Sequence, residues 1–175
     1  TLFKGKEGIN PNLKTEHCLD QKDYVFFKYK ILKKYVKTPP RLSYRYDSEG
    51  NRYPKSWWFR TLRLKNLVPY LNLFYEKRRK SVPEDIQNFI NEFVLAVWAM
   101  DDGSSNNGRK SFYFNTQGFC KKGQMKLCQA LNSKFSLKAR LHKDAQYYRI
   151  YIPVRETKYL LKLVKPYLLP DFYYK

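Results

Sequence analysis

The chain has 175 residues, is 43% hydrophobic and 18% aromatic, and sets 35 Lys and Arg against 15 acids for a net charge of +20. This suffices for one compact domain or two small halves sharing a core, and it excludes a chain disordered throughout. The longest apolar run, Phe93–Met100, is far short of the ~18 residues of a membrane span, so no membrane partner is expected. The basic excess is spread along the whole chain, which makes nucleic acid the expected partner. Cys18, Cys120 and Cys128 are odd in number and lack CxxC spacing, against a disulfide framework or a zinc site. His17 and His142 are too few and too far apart in sequence for a triad or a His-based metal site. The bias toward Lys, Tyr, Phe, Asn and Ile is that of an AT-rich genome and points to a mitochondrion or other organelle.

In chain order, a first strand places Leu13, Thr15 and His17 on one side and leads to a helix over Lys22–Val36. A hairpin follows, Arg41–Tyr46 and Arg52–Leu64 around the turn DSEGN, and then a helix over Asn66–Tyr75. The segment SVPEDIQNFINEF has Pro83 and Glu84 at a helix start, and a further apolar helix runs through Met100 to a Gly-Ser-Asn turn. Ser111–Gln117 alternates, with Phe112, Phe114 and Thr116 opposed to Ser111, Tyr113, Asn115 and Gln117. Lys121–Phe135 reads as an amphipathic helix with Met125, Leu127, Cys128, Leu131 and Phe135 as its stripe. Two strands come next: Leu137, Ala139 and Leu141 alternate with Lys138, Arg140 and His142, and Tyr148, Ile150 and Ile152 with Tyr147, Arg149 and Tyr151. A last helix runs from Glu156 to Lys165.

Lys65–Lys80 (KNLVPYLNLFYEKRRK) resembles Lys162–Lys175 (KLVKPYLLPDFYYK), so the chain reads as two related halves. The expectation is an α+β fold of two pseudo-symmetric αββαββα-type repeats, the first truncated, forming a saddle of antiparallel sheets over a helical core. The halves are 1–80, without the preceding apolar helix, and 81–175, with it. Each sheet shows one apolar face to the helices and one polar face on which acids are scarce. The candidate nucleic-acid contacts on those faces are Arg41, Ser43, Arg45 and Arg60 in the first half. In the second they are Ser111, Tyr113, Asn115, Gln117, Lys138, Arg140, His142 and Arg149. Arg and Lys read guanine edges, Asn and Gln read adenine, and all can hold phosphate. Tyr113, Tyr147 and Trp57 are candidates for stacking on unpaired bases.

One stretch remains odd. VLAVWAMDDGS (Val94–Ser104) ends an apolar helix on Asp101, Asp102 and Gly103, although acids at a helix C-terminus cost about 0.3–1 kcal/mol each. LAVWAMDDG (Leu95–Gly103) resembles the signature helix of the LAGLIDADG homing endonucleases. FNTQGF (Phe114–Phe119), YYRIYIP (Tyr147–Pro153) and VKPYLLPDFYYK resemble the family's monomeric, two-repeat, intron-encoded members. Val97, Trp98, Ala99 and Met100 depart from the family's nine letters. The resemblance implies that Asp102 is a catalytic acid and metal ligand, that Lys80 and Lys175 are active-site lysines, and that Mg²⁺ is the cofactor. It implies site-specific cleavage of double-stranded DNA if the first motif, missing from this chain, is supplied, for instance by a complementary chain. The alternative is a catalytically inactive member that binds structured RNA as part of an organellar ribonucleoprotein, a mitochondrial ribosome subunit or an intron maturase.

Overall fold

Period-two alternation decides which side of each strand meets a helix, and both sheets of this protein are built on it. The computed structural model describes residues 2–3, 9–77, 79–106 and 110–173. Two compact units form, Thr1–Asn72 and Leu73–Lys175. The first contains β1 (Leu2–Phe3), β2 (Asn12–Cys18), α1 (Lys22–Leu32), β3 (Arg41–Tyr46), β4 (Arg52–Arg60) and most of α2 (Val68–Phe74). The second contains the short hairpin β5 (Tyr75–Glu76) and β6 (Arg79–Lys80), then α3 (Glu92–Asp102), β7 (Gly103–Asn106) and β8 (Ser111–Phe114). It continues with α4 (Lys121–Phe135), β9 (Arg140–Asp144), β10 (Tyr147–Ile152) and α5 (Val154–Val164). The chain is therefore α+β.

The two large sheets share one topology. Their strand orders are β1-β2-β4-β3 and β7-β8-β10-β9, every pairing antiparallel, with a helix between the second and third strand of each. In the first unit Thr15 and Phe59 are buried. Trp57 meets Phe26 edge-on at 5.7 Å, Phe59 meets Tyr29 at 5.8 Å, and His17 lies 4.8 Å from Tyr24. In the second unit Phe112, Phe114, Ile150 and Ile152 form the inner face, packed with Leu95 and Ala99 of α3, Leu127 and Leu131 of α4, and Leu160 and Val164 of α5.

The units divide after Asn72 because Phe74 packs on the second unit's core and meets Phe89 edge-on at 5.7 Å. The expected boundary after Lys80 is drawn on the repeat, this one on packing. Lys121–Phe135 is helical over the expected span, and β3 matches Arg41–Tyr46. Other details differ. Pro83 and Glu84 start no α-helix: Ile86–Phe89 is a single 3₁₀ turn, and Asn91 restarts the chain by capping α3, its side chain accepting from the Val94 N–H at 2.9 Å. Buried Gln124 on α4 donates to the carbonyls of Thr116 (2.7 Å) and Tyr148 (3.0 Å), tying the segment after β8 to β10.

The expected Gly-Ser-Asn turn is instead β7, which continues directly from α3 and pairs with β8. Gly103 makes this possible. A Cβ there would lie 2.3 Å from the Ala99 carbonyl oxygen and 2.4 Å from Cζ of Phe112. Its φ of −79° is open to any residue, so the requirement is close approach and not backbone strain. Gly103→Ala is expected to lower the unfolding free energy by about 1–3 kcal/mol through overpacking. Urea denaturation of both proteins checks this, and coincident midpoints would show that Phe112 yields without cost.

Candidate nucleic-acid interface

Register places the second unit's exposed sheet face. Tyr151 stands opposite both Tyr113 and Arg140, and Arg149 stands opposite His142, so these five side chains share the face that turns away from the buried Phe112, Phe114 and Ile150. They are already organised. His142 stacks on Tyr151 with centroids 4.0 Å apart and planes 2° apart, and its Nδ1 lies 3.4 Å from the Tyr113 hydroxyl. The Arg149 guanidinium lies over Tyr113 at 4.2 Å, and that of Arg140 over Tyr151 at 5.0 Å. Burial first, and then the charges of Arg140 and Arg149, hold His142 below its ordinary value. Gln117 donates to Asp144 at 3.0 Å, and Arg149 reaches the other oxygen of that carboxylate at 3.7 Å.

Three expected contacts have different surroundings. Ser111 is buried. Asn115 is exposed, and its backbone N–H donates to the Asp102 carbonyl at 2.8 Å. Lys138 precedes the strand with a left-handed φ of 48° and pairs with Glu156 at 3.0 Å, so it stands outside the alternation that carries Arg140 and His142.

In the first unit Arg41 stands opposite Trp58, Ser43 opposite Ser56, and Lys14 opposite Arg60. These residues share the face that turns away from Phe59 and α1. Arg45, beyond a bulge at Ser43/Tyr44, stands opposite Tyr53, and both are exposed. The Trp58 ring has cations on three sides: Arg41 at 4.4 Å, Lys14 at 5.1 Å and Arg60 at 5.7 Å. Trp57, the expected stacking residue, points to α1, and Trp58 takes the open side instead. Adjacent tryptophans look alike in sequence, and only the pairing with β2 decides which one is inside. The face also carries an acid, Glu16, bonded to Lys14 and Ser56 and thereby held below the usual carboxylate range. The alternation of Lys14 and Glu16 with Leu13, Thr15 and His17 was the available signal for both.

Asp101 and Asp102 are exposed at the end of α3. The place of Asp102 is set from both sides, by its carbonyl's bond to Asn115 and by Gly103 wedged against Ala99 and Phe112. Among the described residues no group of three or more His, Cys, Asp and Glu can hold a metal ion. Two exposed carboxylates still fit Mg²⁺, which takes one or two protein oxygens and completes its shell with water and substrate phosphate. Lys80 is exposed on β6, paired with Tyr75. Lys175 lies outside the described residues. The cysteines are free thiols, and burial pushes Cys128 up to about 11, so it is protonated and inert at neutral pH.

This chain is similar to known proteins. A protein of Wickerhamomyces canadensis named Probable intron-encoded endonuclease 1 is 32% identical over 160 residues, covering 88% of this chain and 69% of its own length. DNA endonuclease I-ChuI of Chlamydomonas applanata is 28% identical over 189 residues, covering 99% and 87%. The solved structure of the homing endonuclease I-WcaI bound to its DNA recognition sequence superposes with a TM-score of 0.90 at 30% identity, over 100% of this chain and 79% of that one. The sequence profile described as the LAGLIDADG DNA endonuclease family matches residues 1–160. With the twin sheets and the apolar helix ending in Asp-Asp-Gly, this assigns the chain to the LAGLIDADG DNA endonuclease family.

Proposed function

We propose that the chain binds duplex DNA along the exposed faces of its two sheets, and that Asp102 supplies a carboxylate for metal-assisted phosphodiester hydrolysis. The observation that supports this most is the repeated strand order, which leaves on each unit a face of Arg, Lys and aromatic residues while helices cover the other. A twisted antiparallel ribbon fits a B-form major groove of ~12 Å, and the guanidiniums and lysines on it offer donors to guanine edges and to phosphates. The similar structure of I-WcaI was solved on its DNA recognition sequence. An intron of an organellar genome is the proposed source of the gene, in keeping with the AT-biased composition and an intron-encoded relative.

For cleavage, Asp102 would hold Mg²⁺ together with phosphate oxygens. The bound ion supplies Lewis-acid polarisation of the phosphoryl group and a water of lowered pKa. The acids' place at the negative end of the α3 dipole, unfavourable alone, suits a site that gathers a cation. Lys80 would donate to the charge that develops on the phosphate, with Lys175 as its counterpart in the repeat. Cutting both strands takes a second acid besides Asp102.

Incubation with Mg²⁺ and DNA carrying intron-insertion junctions, beside Asp102→Asn, tests the site. The substitution is expected to lower cleavage by about a hundredfold or more, the scale of several kcal/mol of lost metal stabilisation, while duplex binding persists. Equal cleavage by both proteins would remove Asp102 from the mechanism. Preference for structured RNA over duplex DNA, with no cleavage, would favour the binding-only alternative.

A second expectation concerns pH. His142 has a folded value below its ordinary 6.5, so the unfolded state binds more protons in the window beneath 6.5. Stability therefore rises with pH through that window, and the penalty appears as pH falls below 6.5. Burial depresses His142 most and DNA adds to it, but phosphates bring negative charge beside the imidazolium and offset Arg140 and Arg149; this attraction is expected to prevail, so that DNA binding takes up a proton. Affinity is expected to increase from pH 7.5 to 6 beyond what His142→Gln shows, read from binding isotherms at constant salt.

A further inference from the structure

Glu16 poses a problem that DNA binding in general leaves open. It lies on the exposed face of β2, among Lys14, Arg41 and Arg60, where a carboxylate repels the phosphates that the cations attract. An exposed ion pair adds little to stability, too little to account for an acid at the middle of this face. Its bonding is specific. Oε2 accepts from Lys14 Nζ at 2.5 Å, and Oε1 accepts from the Ser56 hydroxyl at 2.5 Å. Ser56, with its one proton committed to Glu16, in turn accepts from Ser43 at 2.5 Å. The Ser43 hydroxyl also lies 3.4 Å from Oε1, so both hydroxyls hold that oxygen in place, and Oε2, bonded to Lys14, keeps a further lone pair. Trp58 lies against the Lys14 ammonium at 5.1 Å. The result is a fixed acceptor beside a fixed donor on a face otherwise rich in cations.

The major-groove edge of a G·C pair is the complement, with the cytosine N4 amino group beside the guanine O6 and N7 acceptors. On the duplex-binding reading given above, we infer that the Lys14–Glu16 pair reads one G·C base pair. Glu16 accepts from cytosine N4, and Lys14 donates to guanine O6 or N7. The pair is neutral overall and adds little to phosphate attraction, so its effect falls on sequence preference.

Selection of bound duplexes from a random-sequence DNA library, with the wild-type protein, Glu16→Gln and Lys14→Met, tests the inference, with thermal melting to verify that the variants are folded. The wild-type motif is expected to contain a G·C position at which Glu16→Gln lowers discrimination by about fivefold to 150-fold and shifts preference toward adenine, which Gln reads through N6 and N7. Lys14→Met should relax the same position and leave the others intact. A motif unmoved by both substitutions, or an affinity change spread evenly over all positions, overturns the inference alone. No enriched duplex motif with the wild-type protein overturns the duplex-binding reading and this inference with it.

Discussion

The contact on which the second unit depends is the one between the end of α3 and the inner face of its sheet. Trp98 stacks on Phe114 at 4.2 Å, and Gly103 passes so close to Ala99 and Phe112 that no side chain fits. Helix and strand are joined there without a loop, and the Asp102 carbonyl is bonded to Asn115 just past β8. One apolar contact thus aligns the acid-bearing helix end with the strand whose other side carries Tyr113. The departures from the family's signature fit this reading. Met100 is fully buried where the family has an acid, and Ala96 and Ala99 are buried small residues.

The second constraint is that each sheet is covered on one side only. In the second unit the covered side is filled by Phe112, Phe114, Ile150 and Ile152 under three helices. In the first unit α1 covers it, and among the described residues fewer apolar side chains are fully buried there: Tyr24, Val25 and Phe59. The open sides come out alike despite this difference, each a set of cations laid on aromatic rings. Ring faces hold guanidinium groups in position without neutralising them, so the cations are ordered and still able to attract a polyanion. Each open face also includes an acid, Glu16 or Asp144, bonded to a neighbour on the same face. Such acids reduce non-specific attraction and leave room for sequence preference.

Much of this was legible in the residues. The alternation of Ile150 and Ile152 with Arg149 and Tyr151 assigns two faces wherever the strand lies, and the stripe of Lys121–Phe135 marks a helix whatever it packs on. The repeat of the Pro-Tyr-Leu segments pointed to two halves, and the Asp-Asp-Gly helix end to a family. What local pattern could not decide was register and close approach. Trp57 and Trp58 differ in role only through their partners across β2. Lys138 is one residue too early for a strand that begins at Arg140. Gly103 looks like a turn former until Phe112, nine residues on, is packed against it.

The sequence by itself determined the charge, most of the element types and, where apolar and polar residues alternate strictly, the side of a strand that turns to solvent, because these follow from neighbours within a few residues. Tertiary structure alone decided which cations share a ring, which acid joins which lysine, and where the Asp102 backbone is anchored. Those depend on strands brought together from as far apart as Glu16 and Ser56, 40 residues along the chain, and no period in the sequence records that pairing.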